Sequence, residues 1–144
     1  AVFRSDGSLL MTGSSDKTAK IWRKDGSLIT TLKGHLSPVW GVAFSPDGKW
    51  VATGSVDETV KLWNLEGKLL ATLKGHGSGV RTLVFRQDGK ILTSVGDDGS
   101  LVFWKIPAIL KLQPLEYACD WVRDYLHTNP GVTESYRNTC KPAV

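Results

Sequence analysis

An all-β protein built from repeated four-stranded sheets is what this sequence predicts, and three observations predict it. Five markers recur in register at an offset of 41 residues. They are Phe3, Phe44 and Phe85; the turns Asp6-Gly7, Asp47-Gly48 and Asp88-Gly89; Asp16, Asp57 and Asp98; Trp22, Trp63 and Trp104; and the pairs Gly34-His35 and Gly75-His76. Between them lie short segments rich in branched and aromatic residues, which suit a pleated, half-buried surface. A period of this length is also the one expected for four strands per propeller blade. The expected fold class is therefore a partial β-propeller of about three four-stranded antiparallel blades, the first and last incomplete, with a short α-helical C-terminal tail. The domain division that follows is a propeller fragment over residues 1–106, with blades 1–33, 34–74 and 75–106, and a helical C-terminal cap over 107–144.

The middle copy is complete. Val42 and Phe44 share one face of its first strand, while Val39 breaks their parity, as a bulge at the strand's start would. Asp47-Gly48 turns the chain into a second strand over 50–55, because glycine accepts positive φ without steric cost. Asp57-Glu58 leads into a third strand over 59–64, and Glu66-Gly67 into a fourth over 68–74. The first copy supplies only the end of its first strand, then segments 9–14, 18–22 and 27–33. Ala1-Val2-Phe3 aligns in mid-pattern, so the sequence reads as a fragment whose upstream partner has been cut away. The third copy gives segments 80–85, 90–94 and 100–106, after which Pro107 removes a ladder donor and no fourth strand follows. With fewer than three whole blades, where a closed ring usually takes 4–8, each end is expected to expose an apolar blade face. The partners this implies are the remaining blades of a parent chain, and the isolated fragment is expected to aggregate or oligomerise.

The tail differs in kind. Leu115, Cys119, Val122 and Leu126 recur at helical spacing, with Ala118, Trp121 and Tyr125 widening the apolar face. Asn129-Pro130-Gly131 stops that helix, and Thr133 can cap a second one reaching about Cys140. The expected role is a cap over the last blade's unpaired edge, the alternative being a docking helix for another protein. Cys119 and Cys140 are the two cysteines of the chain. One pair in an otherwise cysteine-free chain reads as reduced thiols, and no Cys-x-x-Cys or nearby histidine suggests zinc.

The net charge of +4 lies wholly in the repeats, where residues 1–106 carry 14 basic and 10 acidic side chains. It arrives as single lysines such as Lys49, Lys61, Lys68, Lys74 and Lys90, which keep strand edges soluble rather than form a phosphate-binding patch. Nucleic acid is therefore not an expected partner. No apolar run approaches the roughly 20 residues that span a bilayer, so no membrane role is expected and the cytoplasm is the default location.

Each complete copy carries a histidine, a hydroxyl, an aspartate and a tryptophan at fixed spacing. In the middle copy these are His35, Thr53, Asp57 and Trp63; in the last they are His76, Ser94, Asp98 and Trp104. The first copy retains Thr12, Asp16 and Trp22. Hydroxyl, histidine and aspartate invite a hydrolase reading. Against it, the hydroxyl is Thr or Ser indifferently, the set recurs in successive copies, and indole N–H has no acid–base role at neutral pH. A buried chain running Trp to hydroxyl to His to Asp satisfies every polar group and ties two strands to the Gly-His loop. The expectation is thus a structural tetrad and no catalytic residue. No phosphate-binding loop, metal cluster or cofactor site stands out, and Asp97-Asp98-Gly99 lacks the further ligands of a calcium loop.

The Gly-His pairs, the Ser-Pro-Asp-Gly turn, the turn aspartates and the strand tryptophans together resemble the WD40 repeat family over residues 1–106. The family's Trp-Asp pair is replaced here by Trp22-Arg23, Trp63-Asn64 and Trp104-Lys105. The resemblance implies a β-propeller whose blades use the tetrad structurally, and a non-catalytic protein-interaction scaffold or sensor. The segment ACDWVRDYLHTNPGVTESYRNTC is similar to the tail of many cyanobacterial WD40 proteins. That second resemblance implies a larger signalling protein with a STAND-type ATPase, a kinase or a protease-like effector upstream. Enzyme activity would then sit in that upstream domain, and weak nucleic-acid binding on a basic face is the other alternative. Family members bind partners on the rim where the Gly-His loops meet the second turns. Here that rim holds Trp40, Arg81, Ser15, Val56 and Asp97 as candidate contacts for a protein partner. Trp40 and Arg81 occupy matching positions yet differ between copies, and aromatic and arginine side chains are the usual interface anchors.

Overall fold

A computed structural model describes residues 1–111. Among these residues eleven strands and one short helix follow one another. The first sheet contains β1 (Val2–Phe3), β2 (Leu9–Gly13), β3 (Thr18–Arg23) and β4 (Leu28–Lys33), paired in sequence order. The second contains β5 (Val39–Phe44), β6 (Trp50–Ser55), β7 (Thr59–Asn64) and β8 (Leu69–Lys74), again in sequence order. The third has three strands: β9 (Val80–Phe85), β10 (Ile91–Gly96) and β11 (Leu101–Lys105). All pairings are antiparallel. Each sheet is a meander of tight turns, consistent with a propeller blade. By their contacts the residues divide after Ile106, and the first unit is Ala1–Ile106.

The register sorts side chains into two faces, because successive residues on a strand point to opposite sides. In the middle sheet Ala43, Ala52 and Leu62 form one cross-strand row and Phe44, Val51 and Trp63 the opposite one. Corresponding rows in the first sheet are Val2, Met11 and Ile21, and Phe3, Leu10 and Trp22. Sheets stack by setting the first kind of row against the second. Met11 and Ile21 are buried in one cluster with Val51 and Trp63, with Val2 and Phe44 packed on it. Gly54 shows how close the next junction is: a Cβ there would stand 2.6 Å from Val80 Cγ1 of the third sheet. A side chain at that position would push the third sheet away.

Several strand ends differ from the sequence reading by one or two residues, and two of them have a visible cause. β10 runs on to Gly96, because Thr82 and Val80 still pair with Val95 and Gly96 across a register shift. β11 stops at Lys105, and Ile106 opens a six-residue helix, α1 (Ile106–Lys111), with Pro107 in its first turn. The missing N–H of proline costs nothing there, since the first helical N–H groups lack intrahelical partners anyway. Ile106 itself serves both elements, its N–H donating to Lys90 C=O at 2.9 Å while its side chain is buried. The expected tail helices over Leu115–Leu126 and Thr133–Cys140, their cap role, and both cysteines lie outside the described residues.

Candidate functional site

Two groups of sequence-selected residues assemble differently, and the tetrads come first. In the middle sheet Trp63 Nε1–H donates to Thr53 Oγ1 at 2.9 Å, and Thr53 Oγ1 lies 2.8 Å from His35 Nε2. His35 Nδ1 faces Asp57 Oδ2 at 2.9 Å. A carboxylate only accepts, so Nδ1 carries the proton, Nε2 accepts, and Thr53 O–H is the donor to it. Asp57 receives further hydrogen bonds from Leu36 N–H (2.8 Å), Thr59 N–H (3.1 Å) and the Thr59 hydroxyl (2.6 Å). The chain of donors is closed and every member is satisfied.

Burial sets the charge states. It pushes the His35 pKa below its ordinary value, and the neighbouring Asp57 carboxylate only partly offsets that. Burial also opposes ionisation of Asp57, but the hydrogen bonds from Thr59, Leu36 and His35 outweigh it and hold the carboxyl at about 2. The pair is therefore a neutral imidazole beside a carboxylate at neutral pH.

The distances between Thr53, His35 and Asp57 would suit nucleophilic catalysis, but the surroundings do not. Thr53 is fully buried, and its one hydroxyl is already shared between an indole and an imidazole. A substrate carbonyl has no approach to it, and catalysis needs a reacting atom within about 3 Å of the nucleophile. What the arrangement can do is clamp. Strands β6 and β7 and the loop at Gly34-His35 are fastened by hydrogen bonds that no water can replace. Among the described residues no cluster of His, Cys, Asp or Glu could hold a metal ion.

The third sheet builds a looser version. Trp104 Nε1–H donates to Ser94 Oγ at 2.8 Å, and Ser94 Oγ lies 2.6 Å from His76 Nε2. His76 Nδ1 then meets Ser100 Oγ at 3.1 Å rather than the Asp98 carboxylate. The expected direct contact between His and Asp is thus replaced by a serine. Asp98 is held at about 2 by the Ser100 hydroxyl and N–H, with help from Ser78. The cause of the difference lies two residues before each aspartate. Ser55 Oγ accepts from Asp57 N–H and donates to Ser37 C=O, which aims the middle aspartate at the loop. Gly96 stands at that place in the third sheet, and Asp98 N–H turns to Ser78 Oγ instead. A Cβ at Gly96 would sit 2.6 Å from Asp98 Oδ1 and 2.7 Å from Ser100 Oγ, so these groups occupy the space a side chain would fill. In the first sheet Trp22 Nε1–H donates to Thr12 Oγ1 at 3.0 Å, while Asp16 accepts from Thr18 and from Lys20 Nζ.

Thr59 and Ser100 are site residues beyond the expected tetrads, and the sequence carries a signal for them. Thr18, Thr59 and Ser100 all carry a hydroxyl two residues after the repeated aspartate.

The second group lies where the middle and third sheets meet. The parity break at Val39 is a bulge. Val39 pairs with Ser55 and Gly41 with Gly54, leaving Trp40 outside the ladder. The third sheet repeats it, with Thr82 on Val95 and Val80 on Gly96, leaving Arg81 outside. A bulged residue is free of pairing and its side chain is re-aimed. The Arg81 guanidinium carbon lies 4.1 Å from the centre of the Trp40 ring, and Arg81 Nε donates to Asp97 Oδ1 at 2.6 Å. Trp40 keeps 40% of its surface exposed, and the Arg81 and Asp97 side chains remain about half exposed. Glycine admits the stack: a Cβ at Gly79 would stand 3.2 Å from Val56 Cα and 3.3 Å from the Trp40 ring. Four of the five candidate contacts, Trp40, Arg81, Asp97 and Val56, thus converge. Ser15 is exposed in the β2–β3 turn of the first sheet, with no side-chain hydrogen bond to the others.

The repeat is also recognisable by comparison with known proteins. A family model described as "WD domain, G-beta repeat" matches residues 1–23, 26–64 and 67–105. The F-box-like/WD repeat-containing protein TBL1X of Mus musculus is 44% identical over 43 residues, which is 30% of this chain and 8% of that protein. This chain therefore corresponds to a small part of that relative. With three family matches in register over most of its length, the chain belongs to the WD40 repeat family.

Proposed function

We propose that the chain is a non-catalytic protein-interaction scaffold or sensor that meets its protein partner through Trp40, Arg81 and Asp97. WD40 repeats imply a protein-interaction role. The observation that carries the choice of residues is the stack of Arg81 on Trp40, formed by two bulged residues of successive sheets. Ladder residues serve the scaffold, whereas these two are outside the ladder and exposed. Stacking and the Asp97 ion pair hold the arginine in one orientation, which lowers the entropy lost when a partner docks. Val56 and Ser15 extend the same rim.

In this reading the tetrads of His35, Thr53, Asp57 and Trp63 and of His76, Ser94, Asp98 and Trp104, and the partial set of Thr12, Asp16 and Trp22, are structural. The scaffold belongs to a larger cytoplasmic signalling protein, with its ATPase, kinase or protease-like activity in an upstream domain. Affinity capture with the wild-type protein, Trp40→Ala and Arg81→Ala tests the site. The expected result is loss of a specifically captured protein from both variants at an unchanged melting temperature. Parallel loss of capture and stability would return both residues to the scaffold.

A further inference from the structure

The turns that lead into the third strands carry two backbone outliers. Lys17, between β2 and β3, has a φ of 71°, and Glu58, between β6 and β7, a φ of 66°. Gly99 stands at the same place in the third sheet, with a φ of 79°. Every copy of the turn therefore takes a left-handed residue there. Only the third copy does so without strain, because a Cβ crowds the backbone in that region. A strained residue where glycine would serve points to function. Neither side chain offsets the strain: both are exposed, and neither makes an ion pair among the described residues. The neighbouring turn acids are engaged, Asp16 with Lys20, Asp57 with His35 and Asp97 with Arg81.

The loop over 34–38 lies between these two charges. Leu36 N–H donates to Asp57 Oδ2 at 2.8 Å, next to Glu58. Val39 N–H donates to Ser14 C=O at 2.9 Å, in the turn that holds Lys17. Leu36 is 79% exposed and lies on no sheet face, so the stacking of sheets does not account for it. Pro38 and Trp40 follow it, and Val56 N–H donates to Pro38 C=O at 3.0 Å, which continues an apolar strip along the loop. The third copy has glycine at both matching places, Gly77 for Leu36 and Gly99 for Glu58. We propose that Lys17 and Glu58 determine the specificity of the rim, and that its partner is an extended protein segment with an apolar side chain between one acidic and one basic residue. The apolar side chain meets Leu36, the carboxylate meets Lys17 and the basic group meets Glu58. Complementary charge of this kind fixes register and rejects wrong partners. The assignment rests on the interaction role proposed above and adds the partner's charge pattern to it.

Selection from a random dodecapeptide library on the immobilised 144-residue chain, followed by fluorescence anisotropy on the recovered peptides, tests this. Those peptides are expected to carry an apolar residue flanked by one acid and one base. Lys17→Glu should weaken their binding about fivefold or more, and lysine in place of the peptide's acid should restore it. Glu58→Lys should act likewise, with restoration by glutamate in place of the peptide's base. Lys17→Gly and Glu58→Gly should also weaken binding while raising the melting temperature by about 2–4 °C, since glycine relieves the strain. Peptides that lose binding to Trp40→Ala yet tolerate both charge reversals would keep the rim as the site and overturn the charge pattern. Peptides sensitive to both reversals but indifferent to Trp40→Ala would uphold Lys17 and Glu58 and remove Trp40 from the site. A fall in melting temperature for either glycine variant would give that side chain a place in the fold and overturn the proposal. Recovery of no peptide would overturn it together with the interaction role.

Discussion

In the middle sheet His35 donates directly to Asp57 with both side chains almost wholly buried; in the third, His76 meets Ser100 and the aspartate stands in solvent. The same set of histidine, hydroxyl, aspartate and tryptophan at the same spacing therefore gives a clamp that is dry throughout in one place and one whose aspartate is wet in another. The difference teaches that the tetrad's strength is set by its surroundings. Ser55 against Gly96 decides where the aspartate points. A covering sheet on each side, present only for the middle sheet among the described residues, decides whether water can substitute for a lost partner. A buried polar group that loses its partner carries the full desolvation penalty, whereas an exposed one recruits solvent.

The largest expected effect that could break this comparison is on the histidines. His35→Ala leaves the Thr53 hydroxyl and the Asp57 carboxylate short of partners in a dry site and should cost about 3 kcal/mol. His76→Ala should cost about half as much, and equal urea midpoints for the two variants would remove the distinction. Next comes pH. Burial lowers His35 below 6.5, so on acidification the unfolded chain takes up a proton that the native ring refuses. Asp57, at about 2 in the native state against 3.8 in the unfolded chain, adds a second loss at lower pH. Both contributions have the same sign: complete above about pH 6.5, eroding as pH falls below it, and eroding further from 3.8 towards 2. Urea midpoints measured across that range should fall accordingly, and His35→Gln should flatten the upper step.

Smaller effects sharpen the comparison. Trp63→Phe keeps the ring and deletes the donor to Thr53, at a cost of about 1–2 kcal/mol. Trp22→Phe and Trp104→Phe remove donors to part-buried sites and should each cost less, by thermal or urea unfolding. Smallest of all is Gly96→Ser, which supplies the third sheet with the hydroxyl of Ser55. The Asp98 carboxylate and the Ser100 hydroxyl can turn away from the new side chain and only the His76 ring must shift, so stability should change by no more than about 1 kcal/mol. A crystal structure of that variant should show Asp98 drawn towards His76; an unmoved Asp98 would mean that position 96 is not the cause.

The repeat, the turns and the strand order were legible in the sequence because periodicity and turn chemistry are local signals. Even the bulge showed, as Val39 out of step with Val42 and Phe44. What could not be read was anything that depends on one sheet meeting another. Trp40 and Arg81 sit 41 residues apart in the chain, and nothing local says that the guanidinium of one lies over the ring of the other. Ser100 could not be placed between His76 and Asp98 without knowing that Gly96 had vacated the space. Ile106 reads as the end of a strand from its apolar neighbours, and only the Lys90 carbonyl and the proline after it show that it also begins a helix.

The repeated bulge has a consequence for how such a surface can change. Because Trp40 and Arg81 are supernumerary to their ladders, neither face of the sheet nor its register depends on which residue stands there. Substitution at these two places is decoupled from folding, and a duplication of the 41-residue unit would copy the vacancy along with the framework. Under the interaction role proposed above, these two positions are sockets 41 residues apart, each open to separate diversification. A library randomised at positions 40 and 81 would sample new recognition chemistry on one unaltered scaffold.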